Sequence, residues 1–442
     1  MADPQTQRAA LKRDPNFKWL MRGGAISVLG DQLTMIALPW LVLKLTGDTL
    51  ALGLVIALMS IPRAIFILIG GALVDRYSPK RVLMLSKYAN AVLLALLTLL
   101  VLNTHAAPTV ALSEDLSLTV ALTPQLTLNL IYALALGLGL AQAFGMPSAT
   151  SVMPLAIAPE HLQAANGVML GMRQVSMLVG PLIAAGLLAL AGNGNGAVSD
   201  ARGLALAFGF DCLSFVVSAW TLSKVVLRTQ AAAHAPQSVL RSVGAGLRMV
   251  WDDIPLRMCF IYWGTVSLFI GGAMQVAIPV LASDLHGGST LGIIMGAHGA
   301  GTLLGMAVAA KFGSRLRFAS FGATILLIDA LAGLLLAPLG AVHAVWQASL
   351  LMLSLGALAG FMQINVFTWI QRRVPPQMMG RAMSIFMFIF MGLAPLSAAS
   401  TGWLLTFVSL SQMFLGGGII LIVFAAGAYL FTPMRSIAST TP

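Results

Sequence analysis

Long hydrophobic runs alternate with short polar segments along the chain from residue 19 to residue 432. Each run has about 20 residues or more, the length of a helix that crosses roughly 30 Å of hydrocarbon. Because backbone groups inside a membrane must be hydrogen-bonded within the structure itself, runs of this length predict helices. The twelve predicted spans are 19–43, 50–73, 82–103, 126–148, 164–190, 203–223, 256–281, 289–310, 318–338, 345–370, 381–407 and 413–432.

A polar stretch in the middle of the chain divides these spans into two groups of six. Within it, residues 238–251 have the pattern of an amphipathic helix that lies along a membrane surface. Residues 105–125, between spans 3 and 4, contain no Lys or Arg and are predicted to be a loop on the outer side. The predicted boundaries are 1–18 for an N-terminal tail, 19–223 for the first bundle, 224–255 for the linker, 256–433 for the second bundle and 434–442 for a C-terminal tail.

The composition agrees with a membrane location. Hydrophobic residues make up 58% of the chain and charged residues 9%, whereas soluble domains carry about 25% charged residues. The two cysteines, Cys212 and Cys259, lie in hydrophobic runs, so no disulfide framework is indicated. The net charge of +11 is scattered over alternate loops. A nucleic-acid partner, which would favour one basic patch, is therefore not expected.

The positions of Lys and Arg predict the orientation of the spans. If the spans alternate in direction, 21 of the 25 basic residues, Lys87 among them, fall on one side of the membrane. Only Lys44 and Arg202 fall on the other side, and Arg63 and Arg173 lie within spans. Cytoplasmic loops are enriched in Lys and Arg, so both termini are predicted to be cytoplasmic.

Short internal similarities relate the two halves. Residues 36–39 (Ile-Ala-Leu-Pro) resemble residues 276–279 (Val-Ala-Ile-Pro), and Leu52-Gly53 matches Leu291-Gly292, in both cases about 240 residues apart. Such self-similarity indicates a repeated structural unit. The sequence therefore predicts an all-α membrane protein of twelve transmembrane helices in two pseudo-symmetric six-helix bundles.

A polar segment separates span 2 from span 3, where Pro79 interrupts the helix and charged residues lie at the water boundary. Its pattern Gly-x-x-x-Asp-Arg followed by Lys-Arg resembles the signature loop between helices 2 and 3 of the major facilitator superfamily. The resemblance implies two bundles around a central site, and a cytoplasmic gate in which Asp75 meets the helix that begins near Arg381. The residues assigned to this gate are Gly71, Asp75, Arg76, Lys80, Arg81, Gly180, Pro181 and Arg381.

Span 5 carries a second motif, in which Gly180-Pro181 follows Gly167 and Ser176. It resembles the small-residue Gly-Pro pattern of exporter branches of the superfamily, and small residues allow helices to approach closely. Short segments such as Gly30-Asp31 and Pro62-Arg63 resemble those of the macrolide-efflux and enterobactin-exporter-like group. The resemblance implies export of bulky amphiphiles, driven by protons, in the bacterial inner membrane.

Ionisable residues inside spans cost about 2.5–3.5 kcal/mol on insertion scales and are therefore functional candidates. Asp31 is the first, because a carboxylate whose surroundings change with conformation can bind and release a proton. Arg63 is its predicted partner, and the pair can alternatively be structural. Asp211 and Asp329 are further candidates, although Asp211 can alternatively reach the headgroups. His298 can titrate near neutrality or simply pack against a carbonyl.

Methionine and aromatic residues predict an adaptable pocket for apolar substrates. The candidates are Phe144, Met146, Trp263, Met274, Gln275, Phe361, Gln363, Asn365 and Phe386. Their alternative role is packing or lipid contact. As a set they favour an amphiphilic substrate over a sugar.

These patterns predict a proton-coupled exporter (antiporter) of drug-like or siderophore-like molecules. A lipid or lysophospholipid translocator is the alternative, because it would share this composition. The chain has no His-Glu-x-x-His motif, cysteine cluster or Walker loop, so we expect neither an enzyme nor ATP-driven transport, and no metal or cofactor. The expected partners are protons, membrane lipids and the small substrate, and the protein is expected to be a monomer.

Overall fold

The structure is a computed structural model of the 442-residue chain. It describes residues 11, 13–76, 78–103, 109–113, 116–119, 123–158, 161–191, 197–227, 239–285, 287–312, 320–375 and 378–438. Side chains are described in these ranges except at 64, 66–76, 109–113, 116–119, 146, 163, 190–191, 197–201, 239–243, 312 and 380.

The described residues form fifteen α-helices and one hairpin. The first six helices are α1 Pro15–Thr46, α2 Thr49–Arg76, α3 Pro79–Asn103, α4 Pro124–Ala156, α5 Leu162–Ala191 and α6 Ala197–Ser223. They are followed by α7 Val239–Asp252, α8 Ile254–Gly272, α9 Ile278–Leu285, α10 Gly288–Phe312, α11 Phe321–Leu336, α12 Val345–Arg373, α13 Met379–Met387, α14 Ala394–Leu404 and α15 Leu410–Phe431. Two π-helical turns, Ala273–Ala277 and Phe388–Gly392, join α8 to α9 and α13 to α14.

Within the described residues, eleven helical segments are long and apolar enough to cross a membrane. The shorter apolar helix Thr49–Arg63 belongs to α2, so the count is consistent with twelve membrane helices. The predicted all-α membrane fold is confirmed, with one small exception. Part of the loop predicted at 105–125 forms an antiparallel hairpin of β1 Thr109–Ser113 and β2 Leu116–Thr119. Apolar and polar residues alternate in β2 but not in β1.

Helix ends are set by polar capping residues, so the helices extend beyond the apolar runs. α1 begins four residues before the predicted span because the Asp14 carboxylate accepts hydrogen bonds from the backbone N–H groups of Asn16 (2.9 Å) and Phe17 (3.4 Å). It ends at Gly47, whose φ of 62° lies in the left-handed region and whose N–H donates to the Leu43 carbonyl at 2.8 Å.

Packing divides the chain into two compact units. Unit 1 comprises residues 1–47 and 69–236, and unit 2 comprises residues 48–68 and 237–442. The first part of α2 therefore groups with unit 2, where the Thr49 hydroxyl donates to the Gly402 carbonyl at 3.1 Å. One of the division points, between residues 236 and 237, falls inside the predicted linker. The predicted bundle boundaries stay a prediction.

The amphipathic linker helix predicted at 238–251 corresponds to α7. It packs on unit 2 through Val250, and Gly246 leaves no side chain between α7 and Arg381 of α13. The C-terminal segment also packs on this unit, because the Gly322 N–H donates to the Ile437 carbonyl at 3.2 Å and the Trp369 indole donates to the Ala438 carbonyl at 3.2 Å.

Arg373, at the end of α12, contacts the residue that caps α8. Its Nε donates to both Asp253 carboxylate oxygens, at 3.0 and 2.9 Å, and its guanidinium carbon lies 5.7 Å from the centre of the Trp369 ring. Asp253 also caps α8 by accepting the Leu256 N–H at 2.9 Å. One carboxylate therefore fixes the start of α8 and the end of α12.

We expect Arg373→Leu to lower the free energy of unfolding by about 1–3 kcal/mol, because Asp253 keeps its cap but loses its charged partner. Thermal unfolding in detergent measures this change. Arg372→Leu is the matched control, since the Arg372 side chain is exposed. Equal unfolding temperatures for the two variants would contradict the assignment.

Candidate functional site

Glycines and polar side chains face each other across α1 and α6, inside unit 1. The α1 positions are Gly23, Ser27, Gly30 and Thr34, and the α6 positions are Asp211, Ser214, Ser218 and Thr221. Steps of three and four residues place each set on one helix face. Glycine lets the helices approach closely, because a Cβ atom at Gly30 would overlap Asp211 and one at Gly23 would overlap Thr221.

Asp211 is held between these two helices and is fully buried, with 0% of its surface exposed. The Thr34 hydroxyl donates to Asp211 Oδ2 at 2.5 Å, and the Ser214 hydroxyl lies 3.0 Å from Oδ1. The alternative that Asp211 reaches the headgroups is therefore wrong. Its carboxylate is positioned by hydroxyl donors on both helices.

Asp31, one turn before Thr34, belongs to the same polar region. Gln142 of α4 donates from Nε2 to Asp31 Oδ1 over 3.4 Å. Lys87 of α3 acts electrostatically on both Asp31 and Asp211, and its Nζ lies 3.5 Å from Ser27 Oγ. Asp31, Lys87 and Asp211 form what we call the acid–lysine cluster.

The acid–lysine cluster has a charge arrangement suited to proton exchange. Buried charges are stable only when they are paired and hydrogen-bonded. Lys87 acts electrostatically on both carboxylates, so one of them can take up a proton while the lysine still has an opposite charge nearby. The predicted pair of Asp31 with Arg63 stays a prediction. Arg63 is half-buried on α2, next to the buried Pro62.

Lys87, Gln142, Thr34 and Ser214 were not predicted as site residues. Lys87 counted as a basic residue of the cytoplasmic side, yet it lies eight residues beyond Pro79, where α3 begins. This distance is about 12 Å along a helix, deeper than a loop charge, and that depth is the signal that could have identified it. Gln142, Thr34 and Ser214 are ordinary membrane-helix residues, and only the packing reveals them.

The candidates in unit 2 have different surroundings. Asp329 of α11 is half-buried beside the Tyr262 hydroxyl of α8. That hydroxyl is buried and makes no hydrogen bond of regular geometry within the described part of the chain. His298 of α10 is half-buried, and its side chain faces the backbone of Met352 on α12. Their roles in proton coupling stay predictions.

The gate candidates lie in several places. Lys80 Nζ donates to the carbonyls of Ser223 (3.1 Å) and Val225 (2.6 Å) and so caps the end of α6. A Cβ atom at Gly180 of α5 would overlap Gln32 of α1, and Pro181 is buried. The Arg81 side chain is exposed, and Arg381 Nη1 donates to Met378 Sδ at 3.3 Å. Gly71, Asp75 and Arg76 lie in α2, but their side chains are outside the described residues.

Two of the substrate candidates pack in an aromatic cluster of unit 2. The Phe386 ring centre lies 5.7 Å from that of Trp263 and 4.7 Å from that of Phe390, and Trp263 is 4% exposed. Asn365 donates to its own helix, to the Phe361 carbonyl at 2.8 Å.

The remaining substrate candidates are half-buried or outside the described side chains. Met274 and Gln275 are half-buried in the π-helical turn that follows α8, and Phe361, Gln363 and Phe144 are half-buried in helices. The Met146 side chain is not among those described. A substrate-binding role for the whole set stays a prediction.

A helical membrane fold with charged side chains between its helices is typical of membrane transporters. A family model of the Major Facilitator Superfamily matches residues 20–399. The chain belongs to this superfamily, as predicted, and is a transporter and not an enzyme.

Similar proteins agree with this assignment. The enterobactin exporter of Salmonella typhimurium is 24% identical over 373 residues, which cover 84% of this chain and 81% of the relative. The enterobactin exporter of Escherichia coli O81 is also 24% identical, over 84% of this chain and 80% of its own length.

Solved structures show the same fold. A nucleoside transporter, NupG, has a TM-score of 0.68 at 14% identity, over 94% of this chain and 99% of the other. A bacterial homologue of the iron transporter ferroportin in an inward-facing state has a TM-score of 0.66 at 15% identity, over 93% and 98% of the two chains.

Proposed function

We propose that the protein exports siderophore-like or drug-like amphiphiles across the bacterial inner membrane in exchange for protons. Membership of a transporter superfamily and the similarity to proteins named enterobactin exporters support the substrate class. The acid–lysine cluster of unit 1 is the observation that supports proton coupling. Both termini are proposed to be cytoplasmic, and the exporter is proposed to act as a monomer.

The contacts within the cluster suggest different roles for its two acids. Asp211 accepts hydrogen bonds from Thr34 at 2.5 Å and from Ser214 at 3.0 Å, and it is fixed between two helices. Asp31 accepts a longer one from Gln142, at 3.4 Å, and is half-buried. We assign proton exchange to Asp31 and the positioning of Lys87 to Asp211. When Asp31 binds a proton, Lys87 keeps Asp211 as its partner, and the change of charge alters which conformation of the transporter is stable.

Substrate-dependent proton movement in proteoliposomes tests this proposal. Enterobactin is supplied on one side, and a trapped pH-sensitive dye reports protons. We expect Asp31→Asn to reduce transport against a gradient at least tenfold while movement down a gradient persists, because asparagine does not exchange a proton.

Asp284→Asn is the matched control, since Asp284 is an exposed acid of α9. Uphill transport by Asp31→Asn at the wild-type rate would refute the coupling assignment. Absence of enterobactin movement in the wild type, together with movement of a labelled lysophospholipid, would refute the substrate class and favour lipid translocation.

A further inference from the structure

Two tryptophans form a contact at one end of unit 1. The ring centres of Trp19 on α1 and Trp220 on α6 are 5.5 Å apart, with their planes at 85°. A cation lies over each indole, with the Arg22 guanidinium carbon 5.5 Å from the Trp19 centre and Lys224 Nζ 5.9 Å from the Trp220 centre. We call these four residues the indole–cation cluster.

The two cations are not used to hold unit 1 together. Both side chains are exposed, and among the side chains that the structure describes neither forms an ion pair. Lys224 is not needed to cap α6, because Lys80 already donates to the Ser223 and Val225 carbonyls. The positive charges of the cluster are therefore available to an external anion.

Exposed apolar residues continue from the cluster along α6. Leu213 is 58% exposed, Val216 43% and Trp220 53%. Steps of three and four residues place them on one face of the helix, with Lys224 one turn further on. An acyl chain can lie along this apolar stripe with its headgroup next to Lys224. A free phosphate has no acyl chain and would not contact the stripe.

We infer that the indole–cation cluster binds the headgroup of an acidic glycerophospholipid, with an acyl chain along the α6 stripe. The cluster lies near the start of the membrane-spanning segment Pro15–Thr46 and at the end of the segment Arg202–Ser223. Tryptophan is enriched at the headgroup level of membranes, and basic residues there attract anionic lipids. Arginine in addition donates paired hydrogen bonds to phosphate oxygens. The inference depends on membrane insertion and not on the proposed export function.

Native mass spectrometry of the full chain, released from detergent with defined lipids, tests the site. Phosphatidylglycerol and phosphatidylethanolamine are titrated separately. We expect the double variant Arg22→Gln/Lys224→Gln to bind the first phosphatidylglycerol about tenfold more weakly, since each cation contributes separately. Binding of phosphatidylethanolamine should be unchanged. Thermal unfolding confirms that each variant is folded.

The matched control is Arg372→Gln/Arg435→Gln, which removes two exposed cations of unit 2. Its affinity for phosphatidylglycerol should stay within twofold of the wild type. The inference is overturned if both double variants lose affinity equally, because net charge alone would then explain binding. Displacement of the lipid by soluble glycerol phosphate would also overturn it, since the site would then recognise a free anion.

Trp220→Leu separates the indole from the cations. It keeps Arg22, Lys224 and an apolar residue at position 220. We expect a threefold or larger loss of affinity for phosphatidylglycerol, because the indole no longer orients Lys224. Wild-type affinity in this variant would show that the two cations act without the indole pair and would overturn the cluster as a site.

Discussion

Gly356→Leu should yield less than a tenth of the wild-type amount of folded protein. Gly356 of α12 faces the carbonyl of His298 on α10, and a Cβ atom there would overlap the carbonyl oxygen. The backbones are in contact, so a leucine side chain has no room unless the helices separate. Overpacking typically costs about 1–3 kcal/mol when the surroundings can relax, and here backbone, not a flexible side chain, must move.

Three further glycines form close contacts between the same two helices, and these contacts oppose separation. A Cβ atom at Gly301 would overlap the Leu353 carbonyl, one at Gly305 the Ala357 carbonyl, and one at Gly360 the Thr302 carbonyl. Membrane helices associate through such close packing of small residues. Moving α12 away from α10 at Gly356 therefore loses all four contacts, a loss of several kcal/mol out of a total stability of about 5–15 kcal/mol.

Size-exclusion chromatography and thermal unfolding in detergent measure this effect. Gly416→Leu is the matched control, since a Cβ atom at Gly416 of α15 would have no neighbour within 4 Å. Gly356→Ala should fall between the two, because it adds only the overlapping atom. An unfolding temperature of Gly356→Leu equal to that of Gly416→Leu would show that the helices can separate at little cost.

Hydrophobic length carried most of the fold prediction. A run of 20 apolar residues has one plausible structure in a membrane, so the spans could be predicted without knowledge of their partners. The linker helix α7 could be predicted from its amphipathic pattern. Helix ends were harder to predict, because capping by Asp14 and the left-handed Gly47 extends α1 into polar sequence at both ends. The β1–β2 hairpin is short, and only the four residues of β2 alternate between apolar and polar.

The candidate site was predicted in part. Asp31 and Asp211 could be identified because a carboxylate inside an apolar run is rare. Their relation could not, because Thr34 and Asp211 are 177 residues apart in the chain. Lys87 shows the same limit: the sequence gives its depth along α3 but not which helix face packs against α1 and α6.

Lys87→Met should abolish proton-coupled transport and lower the unfolding temperature of the protein. Removing Lys87 leaves Asp31 and Asp211 without the ammonium group that acts on both of them. Asp211 is fully buried, and removing the opposite charge that acts on a buried carboxylate costs about 3–5 kcal/mol, because the carboxylate stays desolvated. Methionine has a similar length and flexibility, so the loss is one of charge and not of volume. Lys18→Met is the control, since Lys18 is an exposed lysine of α1.

The double variant Lys87→Met/Asp211→Asn distinguishes a charge effect from a packing effect. Asparagine at 211 can still accept the Thr34 hydroxyl hydrogen bond, and it removes one of the two carboxylates. Folded yield and unfolding temperature should therefore recover towards those of Asp211→Asn, because the cost of the two changes is not additive when they share one interaction. Transport against a gradient should remain at least tenfold below the wild type, since the proton taken up by Asp31 no longer redistributes charge between two acids and one lysine. A double variant less stable than Lys87→Met would show that Lys87 acts through packing, and the acid–lysine cluster would then not be an electrostatic unit.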